Sequence, residues 1–344
     1  MGRTSIIALS GPSSSGKTTL ARLLQRIFAH LDTNSDGTQA QAQAPPISTF
    51  IIHEDDFYHP DDRIPYTTTK SGDRIQDWDC VEAIDTNFLS ASLRYVHENG
   101  HLPPRLKSKE DLNDVSPDSG VEDALIEELK GVVRDRLDGL DLAAALDAEG
   151  GEGKWTLAIL EGFLLFAPPM ASDDDRKHPL RPVHDQIDVH LFLPAPYDLV
   201  KERREKRSGY VTIGPAPTPV LPQRSSAAET GTEQTELDLE AEDDRPPQNF
   251  WTDPPGYVDD IVWPRYVRDH AWLLIAEDGG SRPEALDSTK DDELIRKVGQ
   301  GVTLRTNAGV IVAPGQGSLP MAELLKWAVE KILSYLQESS CKAQ

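Results

Sequence analysis

The sequence predicts an α/β fold, a doubly wound parallel sheet flanked by helices. A β-rich run, TSIIALS (4–10), ends in a glycine-rich turn, and an amphipathic helix follows at once. Strand-like and helix-like segments then alternate along the chain. One strand, within WTLAILEGFLLFA (155–167), is apolar almost throughout, as expected where both faces of a sheet are covered.

The elements follow in order. After the first strand, Leu20, Leu23, Leu24, Ile27, Phe28 and Leu31 recur at the spacing of one buried helix face. Residues 30–46 are polar, repetitive and closed by two prolines, and predict a loop of low order. ISTFIIH (47–53) predicts a second strand, and 79–100 a helix stopped by Gly100 and the prolines beyond it. Within 105–154, the stretch EDALIEELKGVVRDRLDGLDLAAAL has helical periodicity and predicts an ordered appendage. IDVHLFLPA (187–195) predicts a strand, and PYDLVKERREKR (196–207) a helix with a basic far end. Residues 214–249, rich in Pro, Ser, Thr, Gln and Glu, predict a disordered tether. A helix within YVDDIVWPRYVRDHAWLLIAE, a strand near 309–313 and a closing helix, MAELLKWAVEKILSYLQE, complete the chain. There is no internal repeat. The expected organisation is a single domain over residues 1–344, with low-order or appended inserts at about 30–46, 105–154, 214–249 and 277–300.

The formal net charge of −23 argues against a nucleic-acid surface. The charge is uneven: residues 105–154 hold 14 acids against 7 bases, 214–249 hold 8 against 2, and 277–294 hold 7 against 2. Acidity therefore belongs to the insert-like stretches and says little about what the core binds. Cys80 and Cys341, far apart, suggest a reducing compartment more than a disulfide scaffold. The first residues hold no apolar run long enough for a signal peptide, and Ile6 falls where a myristoylation pattern needs Ser or Thr. No apolar run reaches the roughly 20 residues of a membrane helix. The expectation is a cytoplasmic protein, with the nucleus also open to it, and no membrane partner.

GPSSSGKT (11–18) is a complete G-x-x-x-x-G-K-[ST] phosphate loop, with a strand before it and a helix after. Gly11 and Gly16 let the backbone turn so that the N–H groups of Ser13, Ser14, Ser15 and their neighbours point at phosphate oxygens. Lys17 neutralises the β- and γ-phosphates, the Thr18 hydroxyl ligates Mg2+, and Thr19 opens the helix whose dipole adds to the site. A guanine-reading Asn-Lys-x-Asp motif is absent, which argues against a GTPase switch. A motor would usually carry Asp-Glu at the end of a hydrophobic strand; here a single acid, Glu161, ends it. Glu161 either holds a metal-bound water beside the loop or is a solvated strand-end acid. A small-molecule kinase also needs a basic lid. KERREKR supplies one, with Arg203 and Arg207 on one helix face and Arg204 on another, although a solvated basic helix end reads the same way.

A kinase acceptor needs a carboxylate at the end of the second strand, where Asp55 and Asp56 lie in IIHEDDFYH. A turn after His53 would put Asp55 and Tyr58 on one side and Asp56 on the other. QDWDCVEA repeats the theme with Trp78 beside Asp79. Rings and carboxylates together suit a flat, hydroxyl-bearing, cationic ligand, although Tyr58 and Trp78 could equally be ordinary core or rim aromatics.

GPSSSGKTTLARLL, EDDFYHP, QDWDCVEAI, ILEGFLLF, PYDLVKERREKRSGY and DPPGYVDDIVWPRY together resemble the nicotinamide riboside kinases, within the uridine kinase-like group of P-loop kinases. The resemblance implies a P-loop kinase fold with a helical lid. It implies ATP as co-substrate, Mg2+ as cofactor and nicotinamide riboside, with nicotinate riboside, as acceptor. Asp55 then resembles the general base and, with Thr18, a metal ligand; Lys17 and Glu161 complete the catalytic set. Tyr58 and Trp78 resemble the pair that stacks on the pyridinium ring, Asp79 and Arg204 the ribose ligands, and Asp253 a further acceptor contact. Arg203 and Arg207 resemble lid contacts to ATP, and Gly315, Gln316 and Gly317 the loop beside adenine. The chain departs from the family in its long inserts, above all 214–249, which separates the lid from DPPGY. In this it resembles fungal members more than animal ones.

Overall fold

The computed structural model describes residues 3–29, 47–106, 108, 119–138, 155–170, 175–212, 214–215, 249–275, 292–300, 305 and 307–342. Its centre is a parallel sheet of five strands: β1 (Arg3–Ser10), β2 (Ile47–His53), β5 (Trp155–Gly162), β6 (Val189–Phe192) and β9 (Ile311–Val312), in the order β2-β5-β1-β6-β9. All eight residues of β5 are buried, which explains the apolar run.

The two faces of the sheet carry separate cores, because alternate side chains leave a strand on opposite sides. Ile7 and Leu9 pack with α1 (Lys17–Phe28), α3 (Asp123–Asp138) and the closing helix α9 (Met321–Lys342). Ile6 and Ala8 pack with α2 (Thr86–Asn99), α6 (Trp263–Asp269) and α8 (Asp292–Gly299). The sheet is thus covered on both sides, as the alternating pattern predicts. The remaining helices are α4 (Arg181–His184), α5 (Tyr197–Glu205) and α7 (Ala271–Leu274).

Several boundaries differ from expectation, each for a local reason. The helix expected over 79–100 begins at Thr86, where the Asp85 carboxylate caps it by accepting the Phe88 N–H at 2.9 Å. Residues before the cap form a separate turn, Val81–Ala83, which leaves Asp79 in a loop. The helix expected within 257–277 is a π turn, Val258–Val262, followed by α6 and α7.

The inserts are more integrated than composition suggests. α3 is no appendage: Ile126, Leu129, Val133 and Leu137 are buried against α1 and α9. α8 ends the 277–300 stretch with Ile295 in the core and Gly299 set against Trp263 and Val267, where a side chain would clash. Of the 214–249 tether, residues 216–248 lie outside the described residues, as do 30–46. Its two ends are paired, however. β7 (Tyr210–Thr212) and β8 (Asn249–Trp251) form an antiparallel ladder that sequence reading misses, because the partners are separated by the insert. A second small ladder, β3 (Tyr66–Thr68) with β4 (Arg74–Gln76), was also unforeseen.

Ile126 is 0% exposed. Ile126→Ala is therefore expected to lower unfolding free energy by about 2–4 kcal/mol in a denaturant titration. A change within about 0.5 kcal/mol would mean that α3 is an appendage after all.

Candidate functional site

The loop of residues 11–16 joins β1 to α1 through three positive-φ residues: Gly11 (φ 151°), Ser14 (φ 61°) and Gly16 (φ 98°). A side chain at Gly11 would run into the Leu193 carbonyl, so glycine is required by space as well as by backbone angle. Lys17 is buried and arches back over this loop, donating to the carbonyls of Gly11 at 3.1 Å and Pro12 at 3.0 Å. Burial lowers the Lys17 pKa, against the attraction of Glu161, Asp55 and Glu54. Ser13, Ser14, Ser15, Thr18 and Thr19 lie along the same turn and first helical residues.

Glu161 is the last acid of β5, and the parallel register sets it level with His53 of β2 and Leu9 of β1. It is 5% exposed, which rules out a solvated strand-end acid. Thr18 donates its hydroxyl to Glu161 Oε1 at 3.1 Å, and His53 Nδ1 donates to the same oxygen at 2.8 Å. Burial works to raise the Glu161 carboxyl, but His53, with Lys17 and Thr18, outweighs it and holds the group below the usual range. His53 was not singled out from the sequence. Its signal was its position, last in a strand whose neighbour ends in an acid.

Glu54 was missed as well, though it stands beside the acids that drew attention. Its Oε2 accepts the N–H groups of Phe163 at 2.6 Å and Leu164 at 3.0 Å, pinning the turn after β5. Gly162 has no side chain because the Glu54 carboxyl occupies that space. Burial pushes Glu54 up to about 7, and the two backbone bonds only partly offset it.

Asp55 and Asp56 fall in a tight turn, Glu54–Phe57, directly after β2. Asp56 is buried and Asp55 half-exposed, so the two carboxylates are inequivalent, as the turn geometry predicts. Asp55 raises the Lys17 ammonium pKa, and it acts with Asp79 on the Tyr58 hydroxyl, which burial above all holds well above its ordinary value. The turn that carries Asp55 runs from His53, which pairs with Glu161 beside the loop, to Tyr58, which bonds the Trp78 carbonyl.

The two rings correct one expectation. Tyr58 and Trp78 do not flank an open slot. Their rings meet edge to face, 5.3 Å between centroids and 78° between planes, which leaves no room for a ligand ring between them. The backbone of Trp78 is clamped from both ends. Its N–H donates to the Tyr257 hydroxyl at 2.9 Å, and its carbonyl accepts from the Tyr58 hydroxyl at 3.0 Å. Trp251 packs on Trp78 from another side, 5.7 Å between centroids.

Asp79, Arg204 and Asp253, expected on the acceptor side, converge on one another. Arg204 is buried and donates to Asp79 Oδ1 at 2.8 Å and Oδ2 at 3.0 Å, a two-pronged pair. Its Nε donates to Asp253 Oδ2 at 2.7 Å. Burial opposes the Arg204 charge, but Asp79, Tyr210 and Asp253 outweigh it and keep the guanidinium ionised. Asp253 is brought here despite the insert because the β7–β8 ladder pairs Tyr210 with Trp251. The root of the insert is held again by Asp61, which accepts from the Thr212 hydroxyl at 2.8 Å, the Gly214 N–H at 3.0 Å and the Asn249 amide at 3.3 Å. Between α5, Tyr210 and residues 252–258 lies a cleft of about 330 Å³, lined by Arg204, Arg207, Asp253 and Tyr257. That volume is in the range of small-molecule sites.

Arg203 on α5 donates to the Ser14 carbonyl at 3.2 Å. Arg207 does not share a helix face with it as expected, because α5 ends at Glu205; the Arg207 guanidinium lies over the Tyr210 ring at 4.7 Å. Gly315, Gln316 and Gly317 form a turn with positive φ at all three residues. Gly317 sits against Pro194 and Ala195, just past the carbonyl that Gly11 abuts, so this turn adjoins the 11–16 loop. Among the described residues, no group of three or more His, Cys, Asp or Glu side chains is gathered to hold a metal ion. No helix among them is long and apolar enough to cross a membrane.

The Glu54 pKa carries a sign. Its folded value of about 7 lies above the ordinary glutamate value of 4.5, so its contribution is complete below pH 4.5 and is lost as pH rises through 7. Glu54→Gln is accordingly expected to gain stability relative to wild type as pH rises from 4.5 to about 8, by up to roughly 3 kcal/mol. Denaturant titrations of both proteins across that range would check it; a difference that stays flat with pH would contradict it.

No family model matches the chain. Curated proteins do match. The nicotinamide riboside kinase of Schizosaccharomyces pombe is 28% identical over 80% of this chain and 83% of its own length. The nicotinamide riboside kinase of Saccharomyces cerevisiae is 24% identical over 97% of both chains. Human nicotinamide riboside kinase 1 is 23% identical over 89% of this chain and its own full length. The resemblance drawn from the motifs therefore holds over most of the chain, which is similar to yeast and human proteins that share the name nicotinamide riboside kinase.

Proposed function

We propose that the chain is a P-loop kinase that transfers the γ-phosphoryl group of ATP to the 5′-hydroxyl of nicotinamide riboside, and of nicotinate riboside, giving the mononucleotide for NAD synthesis. The observation that supports this reading is that the turn bearing Asp55 links two prepared sides. One side is the 11–18 loop with Lys17, Thr18 and Glu161. The other is the Arg204, Asp79 and Asp253 cluster beside Tyr58 and Trp78.

In this reading the backbone N–H groups of residues 13–19 receive the phosphates, and Lys17 exchanges its loop carbonyls for β- and γ-phosphate oxygens. Arg203 and Arg207 bring lid charge to the same phosphates. The turn at Gly315, Gln316 and Gly317 borders the adenine. Asp55 orients the acceptor hydroxyl and takes its proton. Asp79 and Asp253 offer their outer lone pairs to the ribose hydroxyls while Arg204 holds them in place. A pyridinium lies against the partly exposed Tyr58 ring, which the buried Trp78 backs, attracted by the ring and by the nearby carboxylates. The residues present fit Mg2+. Thr18 and Asp55 would hold the ion through oxygen, with Glu161 beside Thr18, and the nucleotide would supply further oxygens, as this ion prefers. When bound, the ion neutralises charge on the β- and γ-phosphate oxygens. The whole chain forms one kinase domain with inserts, acting in the cytoplasm on small molecules and not on nucleic acid.

A coupled ADP-release assay tests the reading. Nicotinamide riboside is expected to drive ADP release; a preference for uridine, or ATP binding without riboside-dependent release, would overturn it. Asp55→Asn is expected to lower kcat about 10²–10⁴-fold with ATP binding retained. Asp56→Asn, which alters only a buried hydrogen-bonding group, is expected to lose no more than about tenfold. Equal losses in the two variants would remove Asp55 from the role of base.

A further inference from the structure

We propose that Trp251, the last residue of the strand that ends the long insert, is an acceptor-positioning residue that acts by holding Asp253 against Arg204. The proposal rests on the kinase reading above and adds a residue to the same site.

Three contacts converge on this side chain. Its indole N–H donates to Asp253 Oδ1 at 2.9 Å. That same oxygen faces Arg204 Nη2 at 3.4 Å, while Asp253 Oδ2 accepts from Arg204 Nε at 2.7 Å. Arg204 thus grips Oδ2 closely and Oδ1 only at long range. The indole N–H makes the short bond to Oδ1, from a different direction, and so fixes the carboxylate plane. Arg204 in turn holds Asp79 through its other edge. The orientation of Asp253, and through it the outer edge of the Arg204 cluster, therefore depends on a donor that arrives from the far side of the insert.

The ring of Trp251 does a second thing. It packs on Trp78 at 5.7 Å and on Tyr257 at 5.9 Å, and Tyr257 is the residue whose hydroxyl receives the Trp78 N–H. Trp251 thus backs the acceptor ring and orients the Asp253 carboxylate. Its own place is set by pairing with Tyr210 in the β7–β8 ladder. Gly209, just before that ladder, admits no side chain, since one would meet the Phe250 ring and the Trp251 carbonyl. The insert-bearing hairpin is on this account part of the acceptor site and not a mere exit for the tether.

The test compares wild type, W251F, W251H, D253N and the W251F/D253N double variant. It measures kcat, KM for nicotinamide riboside, KM for ATP and the thermal midpoint of each. W251F keeps the packing and loses the N–H. It is expected to raise the riboside KM about tenfold with the ATP KM and the midpoint unchanged. W251H, which retains a ring N–H, is expected to fall between W251F and wild type. If Trp251 acts through Asp253, the double variant is no worse than D253N alone. A wild-type riboside KM in W251F, or losses that add in the double variant, would overturn the proposal. So would a W251F protein whose two KM values rise together as its midpoint falls, the mark of a purely structural role. A wild-type protein without riboside-dependent ADP release would overturn the kinase reading itself, whereas normal turnover with an unaffected W251F would overturn Trp251 alone.

Discussion

A carboxylate buried in the middle of a protein must be paired, and Glu161 is buried. Its partners come from separate elements: His53 from the end of β2, Thr18 from the first turn of α1, and the field of Lys17 from the same helix. Their convergence requires that β2 and β5 run parallel with His53 level with Glu161. A slip of one residue would turn every side chain of a strand to the opposite face and leave the acid unpaired. Glu54 then fixes the turn that follows β5. The geometry around the 11–18 loop thus follows from satisfying one charge.

The Arg204 cluster obeys the same rule with the sign reversed. Arg204 is the buried cation, and Asp79 and Asp253 are its partners. Here the chain faces a harder problem, since the insert separates Arg204 from Asp253. The entropy of closing a loop grows only slowly with its length, so a long insert is tolerable if its ends are tied. The β7–β8 ladder ties them, and Asp61 accepts bonds from both ends of the insert at once. The chain can therefore carry a long acidic insert next to its site without disturbing the site's geometry.

Much of this was legible in the sequence. The glycine pattern of the 11–18 loop reports backbone angles and close approaches that only glycine permits, and the structure shows both at Gly11. The apolar run of β5 and the spacing of Leu20, Leu23, Leu24 and Ile27 report burial on both faces of a sheet and on one face of a helix. The inequivalence of Asp55 and Asp56 followed from the turn after β2. Less legible was α3, whose periodicity was plain but whose acidic surroundings suggested an appendage. Its apolar stripe says that something covers it, not what does.

What the sequence determined by itself were the local terms: periodicity, turn chemistry and the residue types that can meet a phosphate. Tertiary structure decided the pairings, namely His53 with Glu161, Glu54 with the Phe163 and Leu164 N–H groups, Arg204 with Asp79 and Asp253, and the edge-to-face contact that closes the slot expected between Tyr58 and Trp78. The physical reason is that periodicity and turn chemistry act within a few residues, where spacing along the chain records them. Desolvation acts on whatever is buried, and the partner it demands is often a hundred residues away, where only the register of the folded sheet can supply it.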